Sequence, residues 1–183
     1  MSTAFCSRCA TPMAPAMLGG KERRQCPACG FVAWRNPAPV GMALIEHQGM
    51  LVLIRRSEAP LANYWAPPAG YVECGESVPD AVCREANEEC GLLIALDGLV
   101  GVYSQADVDV LIVAYHAHSI GGQLRAGDDA SDARLFAANE LPPQQPPEDG
   151  TATDLWLYRV VAATLAHWRG VHRPDQDLRR TAS

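Results

Sequence analysis

Residues 70–92 hold the feature that most constrains this chain: a glycine-led loop followed by a short segment rich in carboxylates. Ser77 and Asp80 form an S-x-x-D pair of the kind that caps the start of a helix. Gly91 is a residue type favoured just past a helix end, because glycine adopts the left-handed conformation without strain. The spacing therefore predicts a helix from about Val78 to Cys90, with apolar residues at four-residue steps facing a core.

Three glutamates of this predicted helix share one face, because Glu85, Glu88 and Glu89 stand at positions i, i+3 and i+4. Like charges at that spacing destabilise a helix by about 0.2–0.5 kcal/mol per pair. Arg84 can pair with Glu88 but cannot neutralise all three. Magnesium binds one or two carboxylates together with substrate phosphate oxygens. The cluster therefore favours a divalent-metal site, and the alternative is a solvated acidic face.

A second metal pattern lies at the N-terminus, where two C-x2-C pairs are separated by sixteen residues. This spacing is typical of a structural zinc site with four thiolate ligands. A disulfide framework and a redox-active C-x-x-C are the alternatives. A segment this short cannot bury a sufficient core alone, so a bound metal is expected to hold it together. The predicted Zn²⁺ ligands are Cys6, Cys9, Cys26 and Cys29.

The glutamate-rich stretch follows the pattern G-x5-E-x7-R-E-U-x-E-E-x-G-U, in which U is apolar, at every fixed position. This pattern resembles the signature of the Nudix hydrolases, which cleave nucleoside diphosphates linked to another group. The resemblance implies a metal-dependent pyrophosphohydrolase in which water attacks phosphorus. By the same resemblance, Glu76 and Arg84 position the acids. The implied ligands of Mg²⁺ or Mn²⁺ are the Gly70 carbonyl, Glu85, Glu88 and Glu89.

The sequence says less about the group linked to the nucleoside diphosphate than about the reaction. A four-cysteine ribbon before the domain and the run Trp65–Glu76 together resemble the short ADP-ribose or FAD pyrophosphatases. Ser104-Gln105 is not followed by the aromatic, proline-rich element of the NADH enzymes, so ADP-ribose or FAD is expected. The alternatives are NADH, a nucleoside triphosphate, or a non-hydrolytic module that senses a nucleotide or binds nucleic acid. The predicted substrate-binding residues are Arg56, Trp65, Tyr103 and Asp129; Asp129 and Glu88 are both candidates for the general base.

The remaining pattern predicts an α+β fold. Apolar and β-branched runs predict strands at 40–46, 50–54, 92–94, 98–104, 108–118 and 133–136. A helix is predicted at Leu155–Trp168, and the residues expected on its apolar face are Leu155, Tyr158, Val161, Ala162, Leu165 and Trp168. Together with the resemblance they imply a Nudix α/β/α sandwich with a mixed sheet, preceded by a small zinc ribbon. The expected domains are a ribbon at 1–35, a Nudix hydrolase domain at 36–169 and a disordered tail at 170–183.

Charge and hydropathy limit the partners. The 183 residues carry a formal net charge of −6, so a small nucleotide is expected as partner and nucleic acid is disfavoured. No apolar run approaches the length of a membrane span, and no leader pattern is visible, which predicts a cytoplasmic location. The resemblance also implies that a homodimer can form.

Overall fold

The computed structural model describes residues 4–127 and 129–172. The chain divides into two compact units, Met1–Pro37 and Ala38–Ser183. The C-terminal helix, expected to end at Trp168, continues to Val171. Residues 173–183 of the expected tail lie outside the described residues. No helix in the described part of the chain is long and apolar enough to cross a membrane.

The first unit is a small antiparallel sheet with strand order β1-β2-β3. Its core consists of Cys6, Met13 and Cys26, with Phe31 and Ala33 packed against them. So small a core agrees with the expectation that a metal ion stabilises the unit. The strands are β1 (Ala14–Leu18), β2 (Lys21–Gln25) and β3 (Val32–Ala33).

The second unit is built on a mixed sheet with strand order β10-β5-β4-β9-β8. Strands β4 and β9 run parallel, the other neighbouring strands run antiparallel, and two short strands pair with β5 and β4. The predicted mixed sheet is therefore confirmed. The elements are β4 (Ala38–His47), β5 (Met50–Arg56), β6 (Trp65–Ala66), β7 (Ala69–Tyr71), α1 (Val78–Cys90), β8 (Leu92–Tyr103), β9 (Val110–Gly122), β10 (Ala130–Phe136) and α2 (Ala152–Val171).

Alternating side chains of β4 and β5 build one core on each face of the sheet, as the two-residue period of a strand requires. Met42 and Leu44 pack on the side of α2, with Trp156, Val161 and Trp168. The alternate residues of these strands, Ala43, Ile45, Val52 and Ile54, pack on the other face against Val82, Ala86 and Cys90 of α1. The result is the expected α/β/α sandwich.

Candidate active site

Helix α1 has the bounds predicted from its capping residues. Ser77 accepts a hydrogen bond from the Asp80 amide, and the Asp80 carboxylate accepts one from the Ser77 amide, so both halves of the capping box form. Gly91 adopts the left-handed conformation at the other end, with φ of 73°. These two ends fix the register of the helix and hence the direction in which its three glutamates point.

The three carboxylates differ in exposure although they lie on one face. Glu89 is 5% exposed, Glu85 is partly buried and Glu88 is exposed. Glu89 Oε2 accepts a hydrogen bond of 2.7 Å from the backbone amide of Ala69, at the start of β7. The cluster therefore runs from the protein interior to solvent beside the loop that precedes the helix.

Arg84 joins these acids to the loop. Its guanidinium donates two hydrogen bonds to Glu76, of 2.7 and 3.1 Å, and one of 2.8 Å to each of Glu85 and Glu88. A further bond of 2.9 Å reaches the carbonyl of Tyr71. These bonds hold the pKa of Glu76 below its ordinary value, and they raise the pKa of Arg84 further, so both side chains stay charged. The predicted positioning roles of Glu76 and Arg84 agree with this geometry.

Burial raises the pKa of the two inner glutamates, Glu85 and Glu89, whereas the Arg84 bonds lower that of Glu76. Desolvation raises the pKa of Glu85 and raises that of Glu89 to about 7, and repulsion from neighbouring carboxylates adds to both effects. Charge repulsion of this kind is reversed when a divalent cation binds between the carboxylates. The donor set consists of oxygen atoms alone, which is the set that Mg²⁺ and Mn²⁺ prefer.

Gly70 lets strand β7 pass close to the Glu85 carboxylate of helix α1. A Cβ built at position 70 would lie 2.0 Å from Cδ of Glu85, a distance that no side chain can occupy. The backbone of β7 therefore passes directly over the Glu85 carboxylate. This close approach is the structural reason for a glycine at the head of the motif, and it fits the predicted metal-ligand role of the Gly70 carbonyl.

A cleft with a volume of about 660 Å³ opens beside Glu85 and Glu89. Its polar lining residues include Arg56, Glu58, Glu73, Asp129 and the α2 cap residues Thr151 and Asp154. Its apolar lining residues include Val40, Met42, Val110, Ile112, Trp156 and Leu157. Such a cleft has room for a nucleotide and offers apolar contacts for an uncharged ring beside polar groups.

Asp129 reaches the cleft because the loop before β10 is tied to the C-terminal end of α1. The amides of Gln123, Arg125 and Gly127 donate hydrogen bonds of 3.0–3.1 Å to the carbonyls of Gly91, Cys90 and Glu89, respectively. The Asp129 carbonyl accepts two more bonds from Ser57. The loop thereby satisfies carbonyls that the end of a helix leaves free.

The four predicted substrate-binding residues fall into two groups. Arg56 and Asp129 line the cleft. Trp65 instead packs edge-on against Phe136, with ring centres 5.0 Å apart, and Tyr103 packs against the core on the α2 side. Neither belongs to the described cleft wall. Both rings pack against other side chains of the protein, so this geometry gives no support to a ligand role.

Sequence patterns did not single out Trp156, which is 4% exposed and lines the cleft. The expected apolar face of the C-terminal helix included Leu155 and Tyr158, but Leu155 is 37% exposed. The face that packs on the sheet is rotated by about one residue. The Thr151–Asp154 capping box sets the start of α2 at Ala152, three residues before the predicted start at Leu155.

The four N-terminal cysteines converge in the first unit. All four Sγ atoms lie within 4.8 Å of one another, and three of the separations are 3.5–3.6 Å. Tetrahedral ligands at a Zn–S distance of about 2.3 Å stand about 3.8 Å apart, whereas a disulfide bond measures about 2.05 Å. The arrangement matches a four-thiolate zinc site and not a pair of disulfides.

The α/β/α sandwich, the arginine-tied carboxylates on α1 and the glycine loop over them define a Nudix-type hydrolase site. The family model of the NUDIX domain matches residues 35–156, and the chain belongs to this family. An "ADP-ribose pyrophosphatase" of Methanocaldococcus jannaschii is 42% identical over 111 residues, which are 58% of this chain and 66% of that protein. A "NAD-capped RNA hydrolase NudC" of Pseudomonas aeruginosa is 33% identical over 76% of this chain and 49% of that protein.

The chain thus spans 66% of the length of the archaeal relative and about half that of the bacterial one. A NUDIX hydrolase of Nitrosomonas europaea has the same fold, with a TM-score of 0.78 and 24% identity, over 91% of this chain and 90% of that one. A MutT NUDIX hydrolase of Burkholderia pseudomallei matches with a TM-score of 0.56 and 29% identity, over 72% of this chain and 97% of that one.

Proposed function

We propose that this protein is a Mg²⁺- or Mn²⁺-dependent pyrophosphohydrolase that cleaves the diphosphate of a nucleoside diphosphate derivative. The observation that carries the proposal is the cluster of Glu85, Glu88 and Glu89 on one face of α1, with the backbone of Gly70 close to Glu85 and the cleft beside them. Bound Mg²⁺ or Mn²⁺ supplies charge on the non-bridging phosphate oxygens and a lowered pKa for the attacking water.

The protein's own side chains then have separate tasks. Arg84 and Glu76 keep the glutamates in register, because their mutual hydrogen bonds connect the helix to the loop. Arg56 faces the cleft, where it can bind the phosphate further from the helix. Glu88 and Asp129 both remain candidates for the general base: Glu88 is exposed and held by Arg84, whereas Asp129 lies in the cleft wall.

Among substrates we favour ADP-ribose or FAD over NADH. The sequence after Tyr103 lacks the element typical of the NADH enzymes, and the name of the archaeal relative points the same way. The cleft adds apolar lining residues suited to a base or another uncharged ring. The bacterial relatives, by their names, act on NAD-capped RNA, so NADH and an RNA with that cap belong in any substrate test.

The substrate test compares kcat/KM for ADP-ribose, FAD, NADH, a NAD-capped RNA and a nucleoside triphosphate at one metal concentration. ADP-ribose or FAD is expected to exceed NADH, although pocket differences of ~1–3 kcal/mol would suffice to reorder them. Activity is expected to vanish with a chelator and to return with Mg²⁺ or Mn²⁺. Full turnover by metal-free protein would contradict the proposed mechanism, and a clear preference for NADH would contradict the substrate.

Glu88→Gln tests the metal site directly. The change keeps the shape of the side chain but removes a charged oxygen ligand, so turnover is expected to fall by about 10²–10³-fold and the metal concentration needed for half activity to rise. Asp129→Asn should instead lower kcat at an unchanged metal requirement if Asp129 is the base. Glu140→Gln, an exposed acid of a loop, is the control. Near-normal turnover of the Glu88 variant would mean that the cluster is only a solvated face.

A further inference from the structure

The two units of this acidic protein carry opposite charge. Residues 1–37 contain five of the 15 Lys and Arg residues and one of the 21 acidic residues, so their formal charge is 5 − 1 = +4, and residues 38–183 carry 10 − 20 = −10. Zinc held by four thiolates would add 2 − 4 = −2 and leave the ribbon at +2. The whole-chain charge, which disfavours nucleic acid, therefore does not describe the ribbon.

Aromatic rings accompany the cations of the ribbon. The Arg23 guanidinium lies 4.5 Å from the ring centre of Trp34, and that of Arg8 lies 5.0 Å from the ring centre of Phe31. Trp34 is 62% exposed, and Phe5 of the same unit is 61% exposed. Single exposed rings are common on protein surfaces, but rings with a guanidinium over one face form a platform on which a further planar group can stack.

The register of the small sheet places Lys21, Arg23 and Trp34 on one face. Arg24 pairs with Ala33 across β2 and β3, which puts Arg23 opposite Trp34 on the same face. Lys21 stands two residues before Arg23 on β2, so its side chain leaves from that face too. Arg23 Nε is buried and has no hydrogen-bond partner among residues 4–127 and 129–172. The contact with the indole ring therefore positions this guanidinium.

We propose that this face of the ribbon binds single-stranded nucleic acid. Lys21 and Arg23 would contact successive phosphates, and an unpaired base would stack on Trp34. A single strand is favoured over a duplex for two reasons. Bases inside a duplex cannot reach an aromatic side chain, and the described ribbon contains only strands and turns, with no helix to enter a groove. This binding function is independent of the proposed hydrolysis.

The test measures fluorescence anisotropy of a labelled 12-nucleotide RNA, the same DNA sequence and a blunt duplex, with the zinc-loaded full chain and chelator absent. The two single strands are expected to bind more tightly than the duplex. The logarithm of the binding constant should fall with the logarithm of salt concentration with a slope of about −1.4, as two phosphate contacts at ~0.7 each require. Tighter binding of RNA than of DNA would indicate a further contact to the ribose 2′-hydroxyl. Equal binding of the two would indicate that phosphate and stacking contacts alone hold the strand.

Two variants separate this site from general attraction. Trp34→Ala is expected to weaken single-strand binding by about 5–100-fold, the range of one lost stacking contact, with zinc content unchanged. Lys21→Ala with Arg23→Ala should weaken it and flatten the salt slope, whereas Arg55→Ala, an exposed arginine of the acidic unit, should not. Duplex binding as tight as single-strand binding, salt-independent binding, or a Trp34 variant with unchanged affinity and zinc content would overturn the proposal.

Discussion

Gly127 sets the position of Asp129 relative to the carboxylate cluster. A Cβ at position 127 would lie 1.7 Å from the backbone carbonyl oxygen of Glu88, and the Gly127 amide donates to the carbonyl of Glu89. No positive φ is involved, so the constraint is the space between the loop and the end of α1. A sequence motif does not reveal this requirement, because the two segments meet only in the fold.

Gly127→Ala is therefore expected to push the loop away from α1 and to move Asp129 out of the cleft wall. Misplacement of a group at a reacting centre by about 1 Å costs on the order of 10²-fold, so kcat/KM for the best substrate should fall by about 10–100-fold. Steady-state kinetics and circular dichroism measure activity and fold. Gly98→Ala, where a Cβ meets nothing within 4 Å, is the control. Unchanged kinetics of the Gly127 variant would show that the loop position does not matter.

The sequence predicts which residues share a face of one helix, but it does not predict the contacts between distant segments. The i, i+3, i+4 spacing is enough to place Glu85, Glu88 and Glu89 on one face. The extent of the Arg84 network was not predictable, since its bonds to Glu76 and to the Tyr71 carbonyl depend on how the loop folds back. The packing of Trp65 on Phe136 and of Tyr103 on the core also depends on contacts between distant segments, so the sequence could not exclude a ligand role for either ring.

At the scale of elements, the sequence predicts where a helix begins and ends better than it predicts whether a strand is continuous. Capping residues gave both ends of α1. The two strands expected at 92–94 and 98–104 are one strand, β8, which has register shifts where it pairs with β9. Bulges of this kind interrupt the alternation of apolar residues without ending the strand. The apolar pattern therefore indicated two strands, whereas the pairing with β9 makes them one.

Helix α2 and strand β9 meet through a histidine pair. His116 Nε2 and His167 Nε2 lie 2.8 Å apart, and His172, further along α2, stacks on Trp168. Burial lowers the pKa of His116, and the charges of His167 and His172 lower it further, while Asp97 opposes them. The unfolded chain therefore binds a proton at His116 at a higher pH than the folded protein does.

The free energy of unfolding should accordingly be highest above pH ~6.5, the ordinary histidine value, and fall as the pH drops from there through the folded pKa of His116. His116→Gln removes this titration, so its stability should depend less on pH between about 5 and 7. Urea unfolding at several pH values measures the difference. His47→Gln, which removes an imidazole outside the pair, is the control. Parallel pH profiles for wild type and His116→Gln would contradict this account.

At the scale of the whole molecule, each unit has its own core and its own proposed metal site. The ribbon core comprises Cys6, Met13 and Cys26, and two of these three are proposed zinc ligands. The cores of the second unit lie on either side of its sheet. Zinc binding is thus expected to stabilise the ribbon and not the second unit, because a structural zinc site couples folding to metal only in the segment that it crosslinks.

Cys26→Ser tests this separation. Wild-type protein should carry about one zinc per chain, and the variant should lose it, because serine does not supply the fourth thiolate. The ribbon should then open and become sensitive to trypsin at Arg23 and Arg24, while metal-dependent hydrolysis persists in the second unit. Cys74→Ser, at an exposed cysteine, should retain zinc and resist cleavage. Zinc retained by the Cys26 variant would refute the site, and turnover lost in step with zinc would refute the independence of the two units.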